Sequence, residues 1–511
     1  MKRVIYNTCV ADPWIKVAQH LQAKYNYEPV YWIGYNYDNS ETLVKEAFPD
    51  ICYQSYPDAW KGIFSAEIRK KSYDCFIDID LINRLAKYEL LAIKMMDRLD
   101  YDRYSFNFME RERHYINLIK NWMACFDIYK PDMVISAVNP HRVYDYVLYL
   151  LCKDRNIPFI NFQYSMCIER IYALTDIYSI GDIFDSSYKN YLQQPLTKEM
   201  LPPEVLFSFE KVQKDYSEAI PTYMKAHEIK HKKSLKRIEL VRTFFNKYKL
   251  FGKNGLISKG SIPVTMLKNK NYSLEETRGS LSYLYRMRRG KQKYNDSLRT
   301  LYSSLVSVPD KNHKYIFFPL HYQPEATTSP AGDVFVNQRY CIETLLKNTP
   351  DDCFIYVKEH PQQFMAHMLG QTSRIKEFYT DIIANKRVKL MPLELDSYSI
   401  MKDSLAVATV TGTVGWEALM NKKPVIVFGL IWYEKMAGVL RITDSASASD
   451  LYGFIKNYKY DEKKVLAYLM AFADNSIKAY HYQGRKEKVN IPEDECIRNI
   501  SEIIYKLTRT N

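Results

Sequence analysis

The sequence has no run of about 18 consecutive apolar residues, the length that a membrane-spanning helix requires. We also expect no signal peptide, because Met1, Lys2 and Arg3 lead into a short β-branched segment without an apolar h-region. Its nine cysteines are scattered and include no CxxC pair, which argues against a disulfide framework and a zinc site. These absences predict a soluble protein that stays in the cytoplasm.

Low-complexity composition is missing as well. Hydrophobic residues make up 47% of the 511 residues and charged residues 26%, which is typical of globular proteins and excludes a disordered or collagen-like chain. A chain of this length forms two or three domains. The sequence contains no HExxH, GxSxG, P-loop or GxGxxG motif. Its function therefore has to be inferred from other residues.

Positive charge is concentrated in one segment. The net charge is +13, yet residues 225–300 alone contain 20 Lys and Arg against 5 Asp and Glu, so the rest of the chain is nearly neutral. Such a segment can be a solvated helical linker or a surface for anionic lipid, where each basic residue contributes about 1 kcal/mol. Nucleic acid is a third possibility. Because no known nucleic-acid-binding pattern accompanies the segment, we expect no nucleic-acid partner.

Alternation of short apolar segments with helix-like stretches predicts two mostly parallel sheets. In the first half, strands are expected at 3–6, 30–33, 75–79, 133–137 and 157–162, and helices at 13–24 and 144–153. In the second half, strands are expected at 315–319, 354–357, 388–391, 406–410 and 424–428, and helices at 339–346, 397–402 and 414–420.

The predicted fold class is α/β, with two Rossmann-like domains facing a cleft. We assign the first domain to residues 1–195 and the second to residues 306–485. A basic helical segment at 196–305 separates them, and a C-terminal helix follows at 486–511. In such sheets ligands bind at the carboxyl ends of the strands, where helix N-termini project into the crevice.

The first candidate site follows the predicted strand at 406–410. Thr411, Gly412 and Thr413 form a turn that passes directly into a helix, so free backbone N–H groups and two hydroxyls could bind a phosphate. Glu417 lies about one helical turn further on, where its carboxylate could bind a ribose diol. The alternative is an ordinary capped helix in which Glu417 pairs with a lysine.

The predicted strand at 354–357 also ends in polar residues, Lys358, Glu359 and His360, before Pro361 stops it. Lys358 could supply a fixed charge to a departing phosphate, and His360 could supply a hydrogen bond or a proton. The alternative is a structural histidine at a strand end.

A third polar cluster follows the predicted strand at 315–319. This loop contains His321, Gln323 and Glu325 together with two threonines. Loops of this polarity after a buried strand tend to be functional. Three polar strand ends in one half of the chain favour a common site.

In the first half, His141 and Asp145 follow the predicted strand at 133–137. They are four residues apart on a predicted helix and would share one face, where they could deprotonate an acceptor hydroxyl or form a surface pair. Asp78 and Asp80 form an Asp-x-Asp pattern, which binds a metal in one class of sugar-nucleotide transferase. A helix N-cap explains that pattern, so we expect no metal.

The segments KEHP at 358–361 and TGTVGWEAL at 411–419, followed by KPV at 423–425, resemble the bacterial capsule polysaccharide synthesis family. The segments LHYQPE at 320–325 and NPH at 139–141 are similar to further signatures of that family. The family includes β-Kdo transferases and related enzymes that use other CMP-activated nonulosonic acids, such as pseudaminic acid. The resemblance extends over about 306–435 and, more weakly, 130–165.

The resemblance implies a GT-B fold in which the C-terminal domain binds the donor nucleotide without a metal or other cofactor. It implies that His360 contacts the CMP phosphate and assists its departure. Thr411, Gly412 and Thr413 would hold that phosphate in place of a metal.

The remaining donor-binding residues follow from the same resemblance. We expect Lys358, Pro361, His321 and Gln323 near the donor, and Glu417, or else Glu394, at the ribose or base.

Members of the family activate the acceptor in two ways. Some invert with an Asp base, and others retain through a carboxylate adduct. We expect His141 or Asp145 to be the acceptor-activating group, with Glu325 as the alternative.

The sequence thus predicts a glycosyltransferase that moves an ulosonic or nonulosonic acid, of the Kdo or pseudaminic acid type, from a CMP-activated donor. The acceptor would be a capsular, surface or lipid-linked glycan at the inner face of the membrane. One alternative is a CDP-glycerol-type polyol phosphotransferase. Another is a non-catalytic nucleotide- or glycan-binding assembly factor.

The basic segment at 225–300 generates a test of the membrane prediction. We expect the protein to associate with liposomes that contain anionic lipid, and the association to weaken at high salt, because salt screens exposed charges. Co-sedimentation with anionic and neutral liposomes measures this. Equal binding to neutral liposomes would contradict the prediction.

Overall fold

The structure is a computed structural model and describes residues 1–35, 39–100, 106–165, 168–214, 281–365 and 368–509. Residues 225–280 of the basic segment therefore lie outside the described residues. Its last part belongs to a helix, Leu281–Leu305. Among the described helices, none combines the length and apolar character needed to cross a membrane.

The first sheet has the strand order β3-β2-β1-β4-β5-β6 and is parallel except for β6. Its strands are β1 (Lys2–Asn7), β2 (Tyr27–Gly34), β3 (Cys52–Ser55), β4 (Met133–Ser136), β5 (Phe159–Ser165) and β6 (Arg170–Leu174). The helices of this half are α1 (Ala11–Tyr25), α2 (Ser40–Ala47), α3 (Tyr56–Trp60), α4 (Ala66–Ser72), α5 (Ile79–Met95), α6 (Phe108–Tyr129), α7 (Val143–Asp154), α8 (Asp185–Leu192) and α9 (Pro203–Lys214).

The second sheet has the order β12-β11-β10-β7-β8-β9, and all of its strands are parallel. Its strands are β7 (Lys314–Pro319), β8 (Cys353–Lys358), β9 (Val388–Leu390), β10 (Ala406–Thr409), β11 (Val425–Val427) and β12 (Val439–Arg441). The helices are α10 (Leu281–Leu305), α11 (Gln338–Lys347), α12 (Lys376–Ile383), α13 (Ser397–Asp403), α14 (Thr413–Met420), α15 (Ser445–Ser449), α16 (Leu451–Asn457), α17 (Glu462–Asp474), α18 (Lys486–Val489) and α19 (Glu493–Arg509).

The central strands are apolar on both faces because helices cover both sides of each sheet. Tyr315, Ile316, Phe317 and Phe318 of β7 are consecutive, and all four are buried. Continuous burial of this kind is typical of parallel strands. Because β7 lies between β10 and β8, the loops that follow these three strands meet at one edge of the sheet.

The two halves are connected by chain segments that cross between them. Helix α19 packs against α1, and its Cys496, Ile500 and Ile504 are buried in the core of the first half. Helix α9 packs against α14 of the second half. Further contacts join the halves, such as the hydrogen bond from Arg441 Nη2 to Tyr178 O at 2.6 Å.

The structure confirms the α/β class and the two parallel-dominated, Rossmann-like sheets of a GT-B-like fold. Three strands are additional to the prediction, namely β3, β6 and β12. All three lie at sheet edges, where a strand needs only one neighbour. Their apolar patterns are correspondingly short, and β12 is only half-buried along its length.

The strand predicted at 75–79 is wrong. These residues lead into α5, which begins at Ile79, and the Phe76 and Ile79 side chains are 79% and 66% exposed instead of entering the core. Asp78 is the N-cap of α5, where its Oδ1 accepts the Leu81 N–H at 2.7 Å. The N-cap interpretation of the Asp-x-Asp pattern is therefore confirmed.

Candidate functional site

His321 links the loops at the carboxyl edge of the second sheet. Its Nε2 lies 3.0 Å from Thr409 Oγ1 at the end of β10 and accepts the Thr411 N–H at 3.3 Å. The Gln338 amide fixes its backbone, since His321 N donates to Gln338 Oε1 at 2.7 Å and Gln338 Nε2 donates to His321 O at 3.1 Å. His321 therefore positions the turn after β10 from the end of β7.

Both imidazoles of this edge are neutral at physiological pH. Burial, reinforced by His360 and Arg374, lowers the pKa of His321 to about 3. Burial, together with Lys358 and Arg374, lowers the pKa of His360 to about 4. Because His360 Nδ1 accepts the Gln362 N–H at 3.2 Å, the neutral ring carries its proton on Nε2. That nitrogen can donate a hydrogen bond to an anion.

The turn at 411–413 has fewer available donors than the sequence suggested. The Thr411 N–H binds His321, and the Gly412 N–H binds Thr409 Oγ1 at 3.0 Å. The Thr411 hydroxyl donates to Thr327 O at 2.5 Å. Two of the expected amides and one of the expected hydroxyl protons are thus already bound within the protein.

The backbone N–H groups of the next two residues, Thr413 and Val414, differ from those of Thr411 and Gly412. Helix α14 begins at Thr413, and within the described part of the chain the N–H groups of Thr413 and Val414 have no hydrogen-bond partner. Unpaired amides at a helix N-terminus attract anions. The predicted anion site after β10 therefore shifts by two residues, from the amides of Thr411 and Gly412 to those of Thr413 and Val414.

Glu417 is buried one turn into α14, with 7% of its surface exposed. Its Oε1 accepts the Thr413 hydroxyl at 3.2 Å, and no described lysine pairs with it. Burial raises the pKa of Glu417 to about 7, with the Thr413 hydrogen bond opposing the shift. The carboxyl is therefore partly protonated near neutral pH.

A buried ion pair holds the loops after β7 and β8. Arg374 Nε lies 2.9 Å from Glu359 Oε2, and the two side chains are only 2% and 0% exposed. The same guanidinium donates from Nη1 to Gln323 Oε1 at 2.5 Å and from Nη2 to His321 O at 3.4 Å. One side chain thus connects both loops.

Glu359 in turn fixes the backbone of His360. Its Oε1 accepts the His360 N–H at 2.8 Å, and its Oε2 accepts the Tyr379 hydroxyl at 2.7 Å. The Glu359 N–H donates to Tyr302 Oη at 3.0 Å. The two tyrosines thus fix Glu359, and Glu359 Oε1 holds the backbone of His360.

Gln323 forms its hydrogen bonds within the protein. Its N–H donates to Gln363 Oε1 at 3.0 Å, and its carbonyl accepts from Gln363 Nε2 at 3.2 Å. Its own Nε2 donates to Val336 O at 2.6 Å. This predicted donor-binding residue therefore joins the two loops from the inside.

The other predicted donor-binding residues lie around the end of β8. Lys358 is buried and donates to Ser397 Oγ at 3.0 Å, and its burial lowers the pKa of the ammonium group. Pro361 begins a short 3-10 helix, Pro361–Phe364, for which His360 is the N-cap. Glu394 is exposed and lies 3.6 Å from Arg299 Nη2.

His141 and Asp145 do not share a helix face, so that prediction is wrong. Helix α7 begins at Val143, after His141, and Asp145 caps it by accepting the Arg142 N–H at 2.7 Å. Asp145 is fully buried, and burial raises its pKa to about 7. His141 Nδ1 lies 2.9 Å from Asn139 O, so the neutral ring keeps its Nε2 lone pair.

Arg98 brings the first-half loop close to the loop of the second half. It donates to His141 O and, from Nη2, to Ser329 O at 3.2 Å. Glu325 lies four residues before Ser329. Burial raises the pKa of its carboxyl, and this effect outweighs the opposing effects of a 3.0 Å hydrogen bond from the Thr327 hydroxyl and of the Arg98 charge. His141 and Glu325 therefore belong to one region between the two halves.

Several residues that shape the site were not found from the sequence, namely Arg374, Gln363, Gln338, Arg98 and Arg142. Gln363 and Arg142 stand beside recognised motifs, which is the only sequence signal for them. The other three come from helices or loops that carry no motif.

Removing one partner of the buried pair tests its structural importance. We expect Arg374→Met to lower the free energy of unfolding by about 3–5 kcal/mol, because Glu359 is left buried without a counter-charge. The matched control is Arg339→Met, whose exposed pairs with Glu343 and Asp381 contribute about 1 kcal/mol or less. Urea unfolding measures both. A cost for Arg374→Met no larger than that of the control would contradict the assignment.

The raised pKa of Glu417 predicts a pH-dependent stability. The unfolded chain loses this proton near its ordinary pKa of 4.5, whereas the folded protein holds it up to about 7. The contribution of Glu417 to stability therefore falls as pH rises through this window. We expect wild type to lose up to about 3 kcal/mol relative to Glu417→Gln between about pH 4.5 and 7.5. Urea unfolding at several pH values measures the difference, and a constant difference would refute the shift.

Comparison with known proteins gives one family match. Residues 285–475 match the family model described as capsule polysaccharide biosynthesis protein. The capsule polysaccharide modification protein LipA of Neisseria meningitidis serogroup A is 31% identical over 91 residues. Those residues are 18% of this chain and 12% of LipA, so the chain matches only a small part of that relative's length.

Three solved structures resemble parts of the chain at low scores. KpsC of Thermosulfurimonas dismutans matches as a β-Kdo 2,7 transferase (16% identity, 45% of this chain, 66% of that chain, TM-score 0.23) and as a β-Kdo 2,4 transferase (12%, 66%, 79%, 0.27). The UDP-GlcNAc 2-epimerase of Methanocaldococcus jannaschii matches with 13% identity over 93% of this chain and 99% of that chain (TM-score 0.24). At such scores these likenesses carry no functional conclusion. The family-model match stands without them: residues 285–475 are similar to the capsule polysaccharide biosynthesis family, as the motifs at 358–361 and 411–419 predicted.

Proposed function

We propose that this chain is a metal-independent glycosyltransferase of capsule biosynthesis that uses a CMP-activated acidic sugar. One observation carries the proposal. A neutral His360 with its proton on Nε2 is held beside His321. His321 binds the turn after β10, and the helix that follows this turn, α14, begins with two unpaired amides. Such a set of fixed neutral donors suits a phosphate that gains charge as it leaves.

The donor half-reaction follows from these groups. As the bond between the sugar's anomeric carbon and the phosphate oxygen breaks, its electron pair stays on CMP. His360 Nε2–H and the amides of Thr413 and Val414 would donate hydrogen bonds to the phosphate oxygens and stabilise that charge. Fixed donors of this kind would take the place of a metal ion.

Glu417 is suited to the ribose of the donor. Because its carboxyl is partly protonated near neutral pH, it can both accept a hydrogen bond from one hydroxyl and donate one to another. Its position one turn inside α14 places it close to the amides proposed for the phosphate. Lys358, at the end of β8, adds a positive charge near the same edge.

The acceptor half-reaction requires a base. His141 is the first candidate, because its Nδ1–H is bound to Asn139 O and its Nε2 keeps a lone pair for a hydroxyl proton. Asp145 is less suited as the base, because it is fully buried and its Oδ1 caps α7. Glu325 is the alternative base, because burial raises the pKa of its carboxyl and a higher pKa makes the carboxylate a stronger base.

The remaining features of the proposal concern the acceptor and its location. We propose a capsular or lipid-linked glycan as acceptor and the inner face of the membrane as the place of reaction. Its support is the family match and the positive charge at 225–300.

Ligand-dependent thermal stabilisation and transfer assays test the function. We expect CMP to raise the unfolding temperature more than CDP, UDP or GDP, because only the native state binds it.

In chelator-containing buffer, wild type should release CMP from a CMP-Kdo or CMP-pseudaminic acid donor when acceptor is present. His360→Ala should still bind CMP yet lose transfer by about 100-fold or more, the usual effect of removing a charge-stabilising donor. The control is His313→Ala, at the opposite edge of the same sheet before β7, which should retain transfer.

Two outcomes would replace the proposal. Consumption of CDP-glycerol without release of CMP from any CMP-sugar would favour a polyol phosphotransferase. Binding of CMP by wild type without transfer from any donor would favour a non-catalytic binding protein.

A further inference from the structure

Arg98 introduces a positive charge between the two halves without an ion pair among the described residues. Among the described residues its hydrogen bonds go to two backbone carbonyls, those of His141 and Ser329. The acidic residues nearest in sequence, Asp97 and Asp100, both bind Arg111, at 2.7 and 2.9 Å. The charge of Arg98 therefore remains uncompensated by these carboxylates.

Arg142 is a second guanidinium in the same loop, and it also forms no ion pair within the described part of the chain. It lies over the rings of Tyr56 and Trp60, 4.4 and 5.5 Å from their centroids. Stacking on two aromatic rings fixes the plane of a guanidinium and leaves its N–H groups directed sideways.

Two N–H donors of this stack have no partner among the described residues. They are Arg142 Nη1 and Trp60 Nε1, both inaccessible to water. Buried donors are almost always hydrogen-bonded in native proteins, so two of them in one contact call for an explanation. A carboxylate or phosphate, with several acceptor oxygens, would satisfy both donors at once.

Two acceptors of the same segment are unpaired as well. They are Asn139 Oδ1 and Asp145 Oδ2, within six residues of Arg142 in the chain. Asp145 Oδ1 already binds the Arg142 N–H, so its other oxygen is held close to that residue. Acceptors beside donors match a ligand in which hydroxyl groups neighbour an anionic group.

We propose that Arg142, Trp60, Asn139 and Asp145 form a subsite for an acidic group of the acceptor, a carboxylate or a phosphate that neighbours free hydroxyls. This inference deepens the proposed function, on which it rests, by naming the chemical class of the acceptor. Arg142 and Trp60 bind the anion, while Asn139 and Asp145 bind the hydroxyls. His141 lies between these residues in the chain, so the subsite delivers a hydroxyl close to its Nε2.

Several side chains of this segment extend to the surface. Trp60, Asn139, His141 and Arg142 are only half-buried. Arg98 takes no direct part, since its protons bind carbonyls of both halves, but its charge favours an anion nearby. Its pKa is lowered to about 10 by burial, in accordance with a charge that no carboxylate fully balances.

Binding of matched acidic and neutral probes tests this proposal. The probes are a methyl glycoside of Kdo with its neutral methyl ester, and glycerol phosphate with glycerol. We expect wild type to bind at least one acid about tenfold more tightly than its neutral partner, the ratio typical of a charged hydrogen bond. Arg142→Gln should reduce that ratio to near one. The control Arg84→Gln, which removes an exposed arginine paired with Asp154 on the same half, should keep it.

A second variant keeps the test valid if Arg142→Gln folds poorly. Trp60→Phe retains a ring for stacking and removes only the indole N–H, so the ratio should fall several-fold. Stabilisation by CMP reports whether each variant is folded and whether the donor site works.

The possible results separate the two proposals. Preference for the Kdo glycoside identifies a carboxylate, and preference for glycerol phosphate identifies a phosphate. Equal binding of acid and neutral probe by wild type, or an unchanged ratio in a folded Arg142→Gln protein, overturns the subsite. If CMP does not stabilise wild type, the proposed donor is contradicted. The ratio of acidic to neutral probe binding is measured without CMP and still tests the subsite.

Discussion

The site depends on the buried ion pair between Arg374 and Glu359. The loops that follow β7 and β8 have to keep a fixed position relative to each other at the sheet edge. Neither loop contains a long regular element that would fix its conformation. Arg374 reaches both, binding Glu359 after β8 and Gln323 and the His321 carbonyl after β7. A buried pair of this kind is costly to break, because either partner alone is an uncompensated charge in a medium of low dielectric. The arrangement therefore favours one geometry of the loops over alternatives, which is the property that a binding site requires.

Burial is the main cause of the lowered pKa of His321 and of His360, and Arg374 of this pair adds to it. Because both rings are neutral, each can use one nitrogen as an acceptor for the backbone and keep the other N–H for a different partner. His321 Nε2 accepts from the turn after β10, and His360 Nδ1 accepts from Gln362. A protonated imidazole could accept neither bond, so burial, reinforced by the positive charge of Arg374, preserves the structure of both loops.

The sequence allowed the sheets and the location of the site to be predicted, because both depend on local signals. Apolar segments of β7, β8 and β10 and the polar residues after them are contiguous in the chain, so the strand ends could be identified. The details that depend on distant residues could not. Arg374 lies 15 residues after Glu359 in a stretch without a motif, and Gln338 clamps His321 from another helix. The amides after β10 illustrate the limit well: a free helix N-terminus was predicted, but only the structure shows that Thr409 and His321 already bind the first two N–H groups. His141 is a second case, because helix α7 begins only at Val143, so that His141 lies before the helix while Asp145 caps it.

The two walls of the site differ in charge, and this difference has a physical reason. On the wall of the second half, the groups proposed to contact the phosphate are neutral, an imidazole N–H and two amides. Neutral donors can stabilise an anion as it forms without binding it so tightly that its release becomes slow. On the wall of the first half, Arg98 and Arg142 carry full charges with no ion pair among the described residues. Full charges suit a group that is anionic before and after reaction, because its affinity need not change during the reaction.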